Sequence, residues 1–292
     1  MSIMDYNTFG SIFNKEIFEQ SKPKLIETIA GDPKRYIGLF RPTKPKGKLL
    51  QNLLQSHEIR MGNAFEVLLE KYFNILGYSI LQKKFTNEKL DIDQCFRDKN
   101  TIYFIEQKMR DDHDSTKKRG QIDNFEKKLN LMINNYQNEK LIGIFYFIDP
   151  DFRKNENYYK LELSKMKDDY GVDLYLFYGK ELFDFMEIPD VWNEIFEYLK
   201  EWKNSIPELP ELNFDVEPEQ SFNEIKDLSP AIFRKLFENK EMFKEIVLTL
   251  FPQKKTLNLL LEYFKQKRDI KIYMTLYSEL NKCLSHSSSK GH

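Results

Sequence analysis

Residues 101–112 read TIYFIEQKMRDD, and this stretch decides the fold. Thr101, Ile102, Tyr103, Phe104 and Ile105 are β-branched, aromatic or apolar, the pattern of a strand buried on both faces. Glu106, Gln107 and Lys108 follow with no turn residue between. Side chains alternate along a strand, so Glu106 and Lys108 share one face and Gln107 takes the other. A carboxylate and an ammonium thus leave the apolar interior together. A strand end that was merely solvated would need no such apolar run feeding into it.

Upstream, LDIDQCF (90–96) reads as a neighbouring strand and RDKN (97–100) as the hairpin loop. Asp91 and Asp93 then share a face of their own strand. If Phe96 pairs with Thr101, Asp91 stands opposite Glu106. Asp93 then stands opposite Phe104, diagonal to Glu106 and within carboxylate reach. Either way, two or three carboxylates and one ammonium meet on one patch. Mg²⁺ favours such a place, because it keeps waters and is held by one or two carboxylates plus a phosphate.

Asp-x-Asp, a short hairpin and an apolar strand ending in Glu-x-Lys resemble the PD-(D/E)xK nuclease superfamily, over about residues 58–180. The chain departs from that pattern in having no Pro before either Asp. The resemblance implies an α/β fold: a central mixed β-sheet flanked by helices, the restriction-endonuclease-like core, here with an added helical C-terminal region. It implies catalytic roles for Asp93, Glu106 and Lys108, with Asp93 and Glu106 as metal ligands. The thirteen-residue step from Asp93 to Glu106 fits the family. The simple hairpin register favours Asp91, which is kept as a neighbour or supplementary ligand. GNAFE resembles the helix that often supplies a further carboxylate, which would be Glu66; a solvated helix edge is the alternative. Gln121 matches a position where family members often carry a supporting polar residue, and it is expected among the DNA-binding residues.

The activity implied is that of a type II restriction endonuclease. It would hydrolyse phosphodiesters of double-stranded DNA at a specific sequence, using Mg²⁺ with Mn²⁺ as a substitute, and leave 5′-phosphates. A homodimer and a cognate DNA methyltransferase as functional partner belong to the same expectation. A Holliday-junction or DNA-repair nuclease is the runner-up, and such resolvases are usually shorter. A non-catalytic DNA-binding module is the reading from another class, against which the intact Asp/Glu/Lys set argues.

KMRDDHDSTKKRGQ (108–121) joins Glu-x-Lys to the next helix. Arg110, Lys117, Lys118 and Arg119 are placed there to meet phosphates, and Ser115 or Thr116 to cap the helix. RPTKPKGK (41–48) is basic and stiffened by proline, so it fits a strap along a DNA backbone or a plain linker.

Composition sets the frame. The chain has 292 residues, 41% hydrophobic and 31% charged, with a formal net charge of −1. No global field draws nucleic acid to it, so any such contact needs a local basic surface. Cys95 and Cys283 make neither a disulfide framework nor a zinc quartet, and His57, His113, His286 and His292 are scattered. The N-terminus is too charged for a signal peptide, and no apolar run is long enough to span a membrane. A cytoplasmic protein without membrane contact is expected.

Helices are expected over 11–30, 58–78, 118–138, 180–186 and 191–203, with 31–48 irregular and further strands over 79–85, 141–151 and 172–179. SIPELPELNFDVEPEQ (205–220) reads as a linker, and 221–284 as helical before a polar tail. The expected organisation is an N-terminal helical and basic arm (1–57), the catalytic core (58–204), and a linker with a helical C-terminal subdomain (205–292).

Overall fold

A computed structural model describes residues 2–19, 21–85 and 89–288; the end of the polar tail, 289–292, lies outside the described residues. The chain divides into two compact units, Met1–Glu16 with Met61–Ile206, and Ile17–Arg60 with Pro207–His292. Residues 17–60 therefore cluster with the C-terminal helices and not as an arm by themselves.

In chain order the helices α1 (Tyr6–Ile17), α2 (Ser21–Gly31), α3 (Lys34–Ile37) and α4 (Pro45–Ile75) come first. Then follow β1 (Ser79–Ile80), β2 (Lys84–Phe85), β3 (Leu90–Asp91), β4 (Gln94–Asp98) and β5 (Thr101–Lys108). After them come α5 (Ser115–Asn135), β6 (Lys140–Phe147), α6 (Glu156–Tyr170), β7 (Asp173–Tyr178), α7 (Glu181–Phe185) and α8 (Pro189–Ser205). The long helix begins at Pro45, not near 58, because Pro fits a first helical turn whose N–H groups are unpaired in any case.

The five-stranded sheet runs β1-β4-β5-β6-β7. β4 and β5 form an antiparallel hairpin, while β5, β6 and β7 are parallel. Parallel neighbours need crossovers, and α5 and α6 supply them. They cover one face, where Phe104 stacks on Phe125 at 5.4 Å and Phe145 on Tyr159 at 5.0 Å. On the other face Phe96 stacks on Phe73 of α4 at 4.2 Å, and Phe13 of α1 packs against Phe65 and Trp202. Burial on both faces explains why β5 and β6 read as continuous apolar runs. The fold is the mixed α/β sheet with flanking helices that the sequence implies.

Two details of that reading are corrected. The turn is Lys99–Asn100, two residues long, because Arg97 and Asp98 stay in the ladder opposite Ile102 and Thr101. Lys99 takes the left-handed conformation (φ 52°) such a tight reversal needs, and Arg97 is held by Glu139. The register thus moves by two residues, and Gln94 pairs with Ile105. Asp91 and Asp93 also do not share a strand. Asp91 pairs with Lys84 in a separate two-stranded ladder, and the chain leaves it at Ile92, whose N–H donates to the Lys83 carbonyl at 2.8 Å.

The second unit is helical, with Pro218–Ile225, Pro230–Glu238, Lys255–Gln266 and Lys271–Ser288 among its helices. Ile29, Leu49, Ile225, Met242, Phe264 and Leu280 lie in one buried cluster. The stretch expected as a linker is pinned to it: Leu212, Phe214 and Asp215 are buried. The Asp215 carboxylate accepts the N–H groups of Gln253 and Thr256, both at 2.8 Å, and so caps a helix start. Among the described residues no helix is long and apolar enough to cross a membrane.

Candidate active site

The site forms where β4 begins and β5 ends. With Gln94 opposite Ile105, the next step outward sets Asp93 against Glu106. Asp93 lies just outside the ladder, and its Oδ2 accepts the Gln107 backbone N–H at 2.7 Å. Its carboxylate thereby closes a hairpin end that would otherwise lack a partner. Gln94 turns to the opposite face and donates to the Glu66 carbonyl on α4 at 2.7 Å.

Lys108 follows Glu106 on the same face and bridges the two acids, 2.6 Å from Glu106 Oε1 and 3.5 Å from Asp93 Oδ2. Burial works against its charge, but the two carboxylates outweigh that and raise its pKa. Its side chain is 28% exposed, against 2% for Glu106, so the ammonium is the member of the pair that solvent or a substrate reaches.

Sequence reasoning missed a second ammonium. Lys128 of α5 pairs with Glu106 Oε2 and stands 3.6 Å from Asp93 Oδ1, with its side chain only 6% exposed. Its signal was present in the helix pattern: Ile122, Phe125, Leu129 and Met132 form the buried stripe of α5, and Lys128 falls within it. A lysine in an apolar stripe must either snorkel to water or find an anion inside. This one finds two.

Glu66 is partly buried beside this cluster. Burial and the neighbouring Asp93 charge push its pKa up to about 7, against the pull of Lys83, Lys108 and Lys128. Asp91, weighed as a ligand, is exposed and belongs to the other ladder. Asp93 and Glu106 are therefore the pair the fold brings together. Among the described residues no group of three or more His, Cys, Asp or Glu is arranged around one point. Two hard oxygen donors fit a small divalent cation that keeps waters and takes further oxygens from a phosphate.

Beyond Lys108 the chain is clamped. Asp111 is fully buried and accepts from the Asn155 N–H at 2.7 Å, Asn155 Nδ2 at 2.8 Å and Tyr178 Oη at 3.0 Å. This anchors the loop after the Glu-x-Lys strand to the ends of α6 and β7. Helix α5 then starts at Asp114, not at Ser115 or Thr116, because its carboxylate accepts the N–H groups of both Thr116 (3.0 Å) and Lys117 (2.8 Å). Lys117 and Arg119 are exposed on this first turn, and Lys118 lies over the Tyr158 ring at 4.4 Å. Arg110 is 3.8 Å from Asp149 and near the Phe152 ring. Gln121 is not on that surface: it is buried, and its carbonyl accepts from Tyr159 Oη at 2.6 Å.

A mixed sheet whose hairpin brings Asp93, Glu106 and Lys108 together is the arrangement of a PD-(D/E)xK-type nuclease. Residues 79–203, the sheet with α5 to α8 apart from the last residues of α8, match the family model described as type II restriction endonuclease, HinfI. This stretch is similar to a family of DNA endonucleases. No curated protein matches the chain.

Proposed function

We propose that the chain is a type II restriction endonuclease that hydrolyses double-stranded DNA at a specific sequence in a Mg²⁺-dependent reaction and leaves 5′-phosphates. The observation that carries this is the meeting of Asp93, Glu106 and Lys108 within the stretch similar to the HinfI family. That family likeness favours a restriction enzyme over a junction or repair nuclease.

Asp93 and Glu106 would hold the divalent cation, which when bound supplies Lewis acidity to the scissile phosphate and acidifies a water. The rest belongs to the chain. Lys108, partly open to solvent, orients the attacking water and offsets charge that builds on the phosphate oxygens. Water adds to phosphorus as the bond to the 3′-oxygen breaks, giving a 5′-phosphate and a 3′-hydroxyl. Buried Lys128 balances the two carboxylates and fixes their separation. Arg110, Lys117, Lys118 and Arg119 hold the DNA backbone beside the site. A homodimer acting on a two-fold sequence, with a methyltransferase that protects the same sequence, completes the reading.

Digestion of a sequenced plasmid with Mg²⁺, followed by mapping of the ends, tests it. Discrete fragments with symmetric cuts and 5′-phosphate ends are expected, and none in EDTA. Smeared products would favour a nonspecific or repair nuclease, and undiminished cutting in EDTA would remove the metal.

A further inference from the structure

Leu39 and Phe40 are 89% and 98% exposed, although large apolar side chains of this kind usually help to fill a core. They sit at the tip of the turn between α3 and α4, in the sequence KRYIGLFRPTKPKGK (34–48). The turn is built and anchored. Tyr36, at its base, is buried and accepts a hydrogen bond from Asn52, and Ile37 packs on the core of its unit. Gly38 is needed where the chain leaves α3, because a Cβ there would lie 2.8 Å from the Lys34 carbonyl oxygen. Pro42 and Pro45 restrict the return. The fold thus holds two apolar side chains out in water on a stiffened support.

Their surroundings identify what they meet. Lys34, Arg35, Arg41, Lys44, Lys46 and Lys48 flank them, and no Asp or Glu occurs from Pro33 to His57. No ion pair among the described residues takes up any of these six. In a chain of net charge −1, this is a concentrated local cationic surface. A second copy of the same turn is a poor partner, since a two-fold contact would set like charge on like. A polyanion with apolar layers between its charges fits both features at once, and duplex DNA has that construction.

We propose that Leu39 and Phe40 form a wedge that enters a base step of duplex DNA while the flanking lysines and arginines hold the phosphates. Apolar wedges of this type partly unstack a step and kink the duplex. This rests on the nuclease reading and adds to it a contact made by the helical unit, at residues distant in sequence from the cutting site. It also gives the enzyme a means of sensing how easily a step deforms, which is readout without hydrogen bonds to bases.

The experiment uses the full chain in EDTA, where the proposed cutting is silent, with closed plasmid and a metal-independent topoisomerase. Wild-type protein is expected to leave plasmid with a changed linking number after relaxation. Phe40→Ala should abolish that change and weaken plasmid binding about tenfold, the scale of losing one aromatic–base stack. Its dependence of log K on log salt should match wild type, whereas Arg41→Gln with Lys44→Gln should lower that slope by about two units. Phe40→Trp should keep the unwinding and add an indole emission that DNA quenches. Phe40 is almost fully exposed, so these variants should unfold like wild type. Unwinding by Phe40→Ala equal to wild type would overturn the wedge alone if wild type still cuts with Mg²⁺. Phe40-dependent self-association, or Phe40-dependent binding to anionic phospholipid vesicles in place of plasmid, would overturn it too. Wild-type protein that neither cuts with Mg²⁺ nor binds plasmid in EDTA would remove the nuclease reading itself.

Discussion

The side chain of Asp93 accepts the backbone N–H of Gln107 at 2.7 Å, so the acid just before one strand is fastened between the Glu and the Lys that close the next. This bond does what a continued ladder would have done, and it leaves the other carboxylate oxygen facing Lys128. Asp91, two residues earlier, has no such bond to β5 and pairs with Lys84.

The two aspartates should therefore separate cleanly. Asp93→Asn should reduce cleavage by roughly 10²-fold or more, as expected when a carboxylate that would hold the cation polarising the phosphate is lost. Asp91→Asn should remain within a few-fold of wild type. Single-turnover digestion of a plasmid with Mg²⁺ measures both, and a dead Asp91→Asn beside an active Asp93→Asn would reverse the assignment.

Lys108 should matter for chemistry more than for affinity. Lys108→Ala loses at most one phosphate contact, a change of about one unit in the salt slope of binding. Its cleavage rate should fall by roughly 10²-fold or more. Lys117→Ala with Lys118→Ala should show the opposite pattern, with weaker binding and near-normal cutting of saturated complex. Gel-shift titration in Ca²⁺ and quench-flow cleavage in Mg²⁺ separate the two effects.

Lys128 balances buried Glu106 and partly buried Asp93, so removing it should be felt before any DNA is added. Lys128→Met should destabilise the metal-free protein by about 3–5 kcal/mol, the usual result of leaving a buried charge with less than its full set of partners. Added Mn²⁺ should recover part of that loss, because a cation that binds only the folded state stabilises it. Urea unfolding with EDTA and with Mn²⁺ reads both numbers. Equal stability of variant and wild type in EDTA would show that Lys128 is not needed for balance.

Gly143 is a tight point of the sheet. It lies between Phe104 and Leu174 on neighbouring strands, and a Cβ there would stand 2.6 Å from both side chains. Gly143→Ala should cost about 1–3 kcal/mol by overpacking. Combining it with Phe104→Leu should cost less than the sum of the two single changes, since the ring is half of the obstruction. Denaturant unfolding of the four proteins completes the cycle.

Much of this was legible in the residues themselves. Ile102 to Ile105 announced a strand buried on both faces, and strand parity placed Glu106 with Lys108. The register was not legible, because nothing in RDKN marks Lys99 as the residue that turns left-handed; the reversal is completed by Arg97 meeting Glu139 far along the chain. Lys128 was legible as a lysine within an apolar helical stripe, but its partners were not. Its charge has meaning only when α5 is laid across the sheet, which depends on contacts that no local pattern contains. Leu39 and Phe40 lie in the stretch read as irregular, and only the fold shows that they are left outside.

The clamp at Asp111 and the cap at Asp114 are short, rigid links, and they lie between the strand that carries Glu106 and Lys108 and the helix that carries Lys128. Asp93, Glu106, Lys108 and Lys128 are therefore contained in one uninterrupted run of chain, 93–128. Substitution outside this run leaves the four side chains on one continuous segment, while the clamp that steadies it still depends on Asn155 and Tyr178 beyond it.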